Sequence, residues 1–131
     1  MNLENIVSFH PLMPLSSIPK VISDSDIGIA LLSGNDEYSQ HALNVKLFEF
    51  LSMGLPSIAT RTKSIEYYLD EGAVMLSEPN DPNDVARCIR ELYMDPMKRN
   101  ELIKKGLDFI NKNNSETEMN NYLRIIDKLM H

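Results

Sequence analysis

The sequence predicts an α/β fold: a parallel sheet of about four strands, helices on both faces, and a C-terminal helical segment. Three observations carry that prediction. Short apolar runs of β character alternate with helical patterns over roughly the first 80 residues. One such run, Ile27 to Leu32 (I-G-I-A-L-L), is continuously apolar, the signature of a strand buried on both faces. From Asp81 onward the pattern is helical throughout, opened twice by Asp-Pro.

Taken in order, Asn5 to Phe9 (N-I-V-S-F) reads as the first strand, and Pro14 to Ser23 as a short helix with Ile18, Val21 and Ile22 on one face. The run Ile27 to Leu32 is the second strand, followed by a polar stretch from Ser33 to His41. A nearly all-apolar helix then spans Val45 to Met53. Gly54 suits its left-handed stop and Pro56 prevents its continuation. Pro56 to Ala59 is the next strand, Thr62 to Leu69 a short helix, and Ala73 to Leu76 the last strand, entered through a turn at Glu71-Gly72.

Asp81-Pro82 opens a helix whose buried stripe is Val85, Cys88, Ile89 and Leu92. Asp95-Pro96 opens another, with Leu102, Ile103, Leu107 and Ile110 behind it. Ser115-x-x-Glu118 reads as a capping box ahead of Met119, Tyr122, Leu123, Ile126 and Leu129. The polar run Asn111 to Asn114 is the expected hinge. Residues 1–112 are thus expected to form one domain, with residues 113–131 a helix packing on or beside it.

Composition bounds the function. The 131 residues are 43% hydrophobic, which suits a single globular domain. A formal net charge of -6 argues against nucleic acid or an anionic membrane as partner, since either selects a basic patch. The lone Cys88 excludes an internal disulfide and fits a reducing compartment. No apolar run approaches a membrane span, and the opening Met-Asn-Leu-Glu-Asn is not a signal peptide. A cytoplasmic protein is expected.

In a parallel α/β sheet, ligands sit outside the carboxyl ends of the strands, where the following helices begin. Ser33 to Asn44 leaves the carboxyl end of the Ile27 to Leu32 strand and so lies on that rim. Asn44 can cap the next helix, whose first-turn amides, from Val45 to Leu47, then favour an anion such as a phosphate. Lys46 in that turn opposes the helix dipole, a placement more natural beside a bound anion. Glu49 lies three residues on, inside L-F-E-F-L, where an ionised carboxylate is costly to bury unpaired. It is either a ligand contact, accepting hydrogen bonds from both hydroxyls of a ribose, or half of an ion pair with Lys46 worth about 0.2–0.5 kcal/mol. Metal binding by His10 and His41 with Asp24, Asp26, Asp36 and Glu37 is not expected, because no spacing matches a known site. Cys88 reads as core, and Tyr67 and Tyr68 as flanks of a strand or a stacking pair for a base.

The segment from Lys46 to Thr60, K-L-F-E-F-L-S-M-G-L-P-S-I-A-T, resembles the K-L-F-E-Y-M-A-M-G-x-P-V-I-A-T signature of the retaining, GT-B-fold group-one glycosyltransferases. Ile6 to Phe9, Ile18-Pro19 and Ile22 to Ile29 resemble that family's v-x-F-x-G, i-P and i-x-x-a-D-i-g-i elements. Glu66, Asp70-Glu71-Gly72 and Glu78 to Pro82 resemble its E-x-i-x-d-G and p-x-D-p stretches. The likeness runs from roughly Asn5 to Gly106 and is carried by order and spacing together. It implies a Rossmann-like C-terminal domain that binds a UDP- or GDP-linked nucleotide sugar without a cofactor or metal, for transfer to an acceptor with net retention. By that resemblance Glu49 contacts the ribose hydroxyls, and Lys46 and Leu47 lie on the phosphate side. The first Glu of the family's E-x7-E motif, which faces the donor sugar, falls on His41, and the glycine pair after the P-V-I-A-T strand is replaced by Arg61-Thr62-Lys63-Ser64.

The resemblance also implies what else is needed. The family's catalytic unit uses an N-terminal acceptor domain and earlier strands of the donor domain, in the order 3-2-1-4-5-6. The chain therefore reads as an incomplete GT-B donor domain, expected to work with a preceding acceptor domain or a partner subunit. Any peripheral membrane association would come through that part. The alternative is a non-catalytic scaffold module derived from a glycosyltransferase and pairing with a separate half.

Overall fold

The computed structural model describes residues 3–69 and 72–130. After a 3-10 turn at Leu15–Ser17 the elements run α1 (Ile18–Ser23), β1 (Gly28–Ala30), α2 (Glu37–His41), α3 (Val45–Ser52), β2 (Ser57–Thr60) and α4 (Lys63–Tyr68). Then come β3 (Met75–Ser77), α5 (Pro82–Met94), α6 (Pro96–Lys112) and α7 (Ser115–Met130). The three strands form one parallel sheet in the order β1-β2-β3. Ile29 pairs with Ile58, and Ala59 with Leu76. Beyond Ala30 the Thr60 hydroxyl extends the ladder, accepting from Leu32 N at 2.9 Å and donating to Leu32 O at 3.0 Å.

Strand alternation sends side chains to two cores. Ala30 and Ala59 face Leu47 and Leu51 of α3, with Ile65, Leu69, Val74 and Phe109 completing that cluster. Ile58 and Met75 face the other way, onto Cys88 and Leu92 of α5 and Leu102 of α6. Helices therefore cover both faces, as the sequence predicts, and α6 contributes to both clusters. Two glycines permit this packing. A β-carbon at Gly28 would lie 2.5 Å from the Phe50 ring, and one at Gly106 would lie 2.8 Å from Leu51 Cδ2.

Most helix starts follow from local chemistry. Asn44, Thr62, Asp81 and Asp95 each accept a backbone N–H of the first turn they precede, which satisfies donors a helix otherwise leaves unpaired. Gly54, at φ +69°, ends α3 where predicted.

Five expectations are corrected. Asn5 to Phe9 is not a strand, so the described sheet has three strands instead of about four. Ile6 and Val7 donate to Leu3 O in a turn, and Phe9 is 93% exposed. No neighbouring strand takes up this segment's backbone, and β propensity without a partner does not make a strand. Ile27 to Leu32 is not buried on both faces, since β1 is a sheet edge and α5 packs on β3 and β2, leaving Ile29 and Leu31 exposed. The polar stretch Ser33 to His41, to which the sequence assigns no element, contains α2. Phe109 and Gly106, not Leu107, face the core from α6, and Ile89 of α5 is exposed. The cap of α7 is Asn114, whose Oδ1 accepts from Thr117 N at 2.9 Å, one residue ahead of the expected Ser115. The turn expected at Glu71 lies outside the described residues.

Candidate functional site

Three loops gather at the carboxyl ends of the strands, and they are cross-braced. Asn80 follows β3 with φ 54°, and its side-chain amide donates to Ser33 O at 2.6 Å. Gly34 holds φ +70° with its Cα against Pro79, where a β-carbon would approach to 2.6 Å. Arg61, leaving β2, donates to Glu78 Oε1 at 2.8 Å and to Glu66 Oε1 at 2.6 Å. The Glu66 and Glu78 carboxylates push the Arg61 guanidinium above its ordinary value, so it stays charged. Asp84 accepts from Glu78 N at 2.8 Å and pairs with Arg87 at 2.6 Å. Between these loops lies a cleft of 590 Å³ lined by Leu31, Leu32, Thr60, Ser77, Asn80 and Val85 among others.

The short α2 is built by Asp36, which accepts from Ser39 N at 2.8 Å, Ser39 Oγ at 2.7 Å and Ser33 Oγ at 2.6 Å. The Ser33 hydroxyl first, then the Ser39 amide and hydroxyl, hold the Asp36 carboxyl at about 2 against an ordinary 3.8. A depressed folded value means that the cap's contribution is full above the ordinary carboxylate range and is lost as pH falls through about 2. The Ser39 amide resonance is accordingly expected to titrate near pH 2, and a midpoint near 3.8 would show that the cap is not formed.

Gln40 joins α2 to α4. Its side-chain oxygen accepts from Lys63 N at 3.1 Å while its nitrogen donates to Gly34 O. His41, the last residue of α2, stands 3.3 Å from Glu37 and lines a second cleft, of 330 Å³, with Lys63, Ser64, Tyr67 and Tyr68.

The remaining predicted site residues lie at and along α3. Asn44 caps the helix: its Oδ1 accepts from Lys46 N at 3.1 Å and its carbonyl from Leu47 N at 3.0 Å. Two of the three first-turn amides are therefore taken up locally. Val45 is exposed, and the Leu47 side chain is completely buried in the core. Glu49 is half-buried between Phe48 and Phe50, and Lys46 is exposed. Among the described residues neither carboxylate nor ammonium makes an ion pair or hydrogen bond, so the Lys46–Glu49 pairing weighed from sequence is not formed. Neither residue lines the two clefts. The structure brings His41 together with α4 and Asn44 with the α3 amides, and it leaves the Lys46 and Glu49 side chains outside both clefts.

Sequence reasoning missed Gln40 and the cap of α2. Asp36-x-x-Ser39 was a readable start signal, because Asp is a favoured cap residue. Cys88 is buried in the core as predicted. Among the described residues no group of three or more His, Cys, Asp or Glu is placed to hold a metal ion, and no helix is long and apolar enough to cross a membrane.

A parallel sheet flanked by helices, with braced loops and clefts at its strands' carboxyl ends, is an α/β domain of Rossmann-like kind. The family described as glycosyl transferase-like matches residues 4–124. The chain belongs to that family, and the matched span includes every site residue described above. No curated protein matches the chain in sequence.

Proposed function

We propose that this chain is the donor-binding part of a retaining glycosyltransferase that uses a UDP- or GDP-linked sugar, without a cofactor or metal. The observation that carries the reading is Glu49: a half-buried carboxylate with no partner among the described residues, one turn below a capped helix start. A carboxylate held that way is costly unless a ligand supplies hydrogen bonds. Two vicinal ribose hydroxyls are donors of the right number. The Lys46 ammonium and the Val45 amide stand at the head of the same helix, on the diphosphate side, where the dipole favours an anion. In this reading residues 1–112 form the donor domain, residues 113–131 a helix beside it, and an acceptor domain or partner subunit completes a cytoplasmic enzyme.

Calorimetric titration of the chain with UDP and GDP tests this. One of the two is expected to bind with Kd of roughly micromolar to millimolar. Glu49→Ala is expected to weaken that binding at least about tenfold, since a charged acceptor to two hydroxyls is worth roughly 1.5–3 kcal/mol. A folded sample that binds neither nucleotide rejects the proposal.

One observation favours a second reading, a scaffold module that pairs with a separate half. Ile6, Phe9, Leu12 and Leu15 are exposed, and β1 is an edge strand of the described sheet. A stable hetero-complex whose function survives Glu49→Ala would select it.

A further inference from the structure

We infer that Asn80 is a positioning residue for the nucleotide site: its side-chain amide fixes the loop that leaves β1, and through that loop the rim segment leading to α3. The inference rests on the function proposed above. Among the described residues Asn80 is the one non-glycine with positive φ, at 54°. Few side chains tolerate that left-handed conformation; glycine and asparagine adopt it most readily. Glycine would make the same turn, so what asparagine adds is its amide. That amide donates from Nδ2 to Ser33 O at 2.6 Å, across 47 residues of sequence.

The acceptor needs a partner from outside the sheet. Thr60 Oγ1 takes both backbone groups of Leu32, at 2.9 and 3.0 Å, and there the β1 ladder ends. Ser33 lies past the last strand pairing, and Asn80 supplies the hydrogen bond that a neighbouring strand would otherwise give. The donor stands on a rigid base. Pro79 before it has a fixed φ. Asp81 after it caps α5, accepting from Asn83 N at 3.0 Å and Asp84 N at 3.1 Å, and α5 packs on β3 and β2. A second contact repeats the link between the loops: a β-carbon at Gly34 would stand 2.6 Å from Pro79 Cβ.

What the loop carries ties it to binding. Ser33 Oγ donates to Asp36 Oδ2 at 2.6 Å, and Asp36 caps α2 by accepting from Ser39 N at 2.8 Å. Beyond α2, Asn44 caps α3 by accepting from Lys46 N at 3.1 Å. Asn80 therefore holds the first residue of a segment whose last residue sets the head of α3. Ser33 and Asn80 both line the 590 Å³ cleft at the strand ends. A loop already held in place need not be ordered by the ligand, and affinity gains by that difference.

Calorimetric titration of the full chain with UDP and GDP, in the wild type and two variants, tests this. Asn80→Gly keeps the left-handed turn and removes the amide. Asn80→Asp keeps size and turn, and sets an acceptor against the Ser33 carbonyl. Each is expected to raise the nucleotide Kd about threefold to tenfold, the span of one hydrogen bond's net contribution. The melting temperature should stay within about 2 °C of wild type, since the bond lies at the surface. Hydrogen exchange at the Ser39 and Gln40 amides, both held by Asp36, should quicken in the same variants. A brace that serves stability alone would lower the melting temperature and leave Kd where it was. An unchanged Kd in either variant therefore overturns the inference. So does a Kd that rises while Ser39 and Gln40 exchange as before, because Asn80 would then act by touching the nucleotide itself. The donor reading survives both of those results. It falls, and this inference with it, when the folded wild type binds neither nucleotide.

Discussion

Replacing Leu47 by Ala is expected to destabilise the fold by about 2–5 kcal/mol, a large share of a typical 5–15 kcal/mol total. The Leu47 side chain is fully buried and packs in the cluster with Ala30, Ala59, Ile65 and Phe109. Truncation removes its transfer free energy and leaves a cavity that the surrounding strands and α6 close only in part. The urea midpoint should fall with its slope unchanged, which marks a stability effect and not a change of denatured state. Leu47→Met, which nearly conserves volume, should cost under about 1.5 kcal/mol. An unchanged midpoint in Leu47→Ala would contradict the assignment of this residue to the core. The pair of variants also separates two roles for one residue. Nucleotide binding lost in Leu47→Ala but kept in Leu47→Met would trace to packing beneath the site, not to contact at it.

Gly28→Ala is the second substitution with a large expected effect, about 1–3 kcal/mol of destabilisation. The added methyl group meets Phe50 Cδ2 at 2.5 Å, Phe50 Cγ at 2.8 Å and Leu55 Cδ2 at 3.0 Å. A ring cannot yield as the tip of a flexible chain can, so α3 must move away from β1. Loss of glycine's backbone entropy offsets only about 0.5–1 kcal/mol of this. The melting temperature should fall by several degrees, at roughly 2–8 °C per kcal/mol for a chain of this size. Shrinking the ring with Phe50→Leu should restore part of the loss, and a double-mutant cycle reads the coupling. Additive losses would mean that the two residues do not touch.

Legibility in the sequence followed the range of the interactions involved. Helix starts were readable because a cap is written within four residues, as at Asn44, Thr62, Asp81 and Asp95. The strand expected at Asn5 to Phe9 failed because a strand needs a neighbour, and none takes up that backbone. Ile29 failed as a doubly buried residue for a related reason: a run of apolar residues does not say whether it sits at an edge. The five residues of α2 carry no apolar period, so only the Asp36 cap could have announced them. At the candidate site, the placement of His41 after β1 was readable from order along the chain. Its meeting with Lys63 and Tyr67 was not, because that depends on Gln40 joining two helices 23 residues apart in sequence.

The last helix has a thermodynamic consequence. None of the residues of α7 is buried, although Met119, Tyr122, Leu123 and Leu129 lie along it. Melting it uncovers little surface that water did not already reach, so it adds little to the heat capacity of unfolding or to denaturant sensitivity. Both quantities should therefore scale with a cooperative unit that stops near Lys112, shorter than the polypeptide itself.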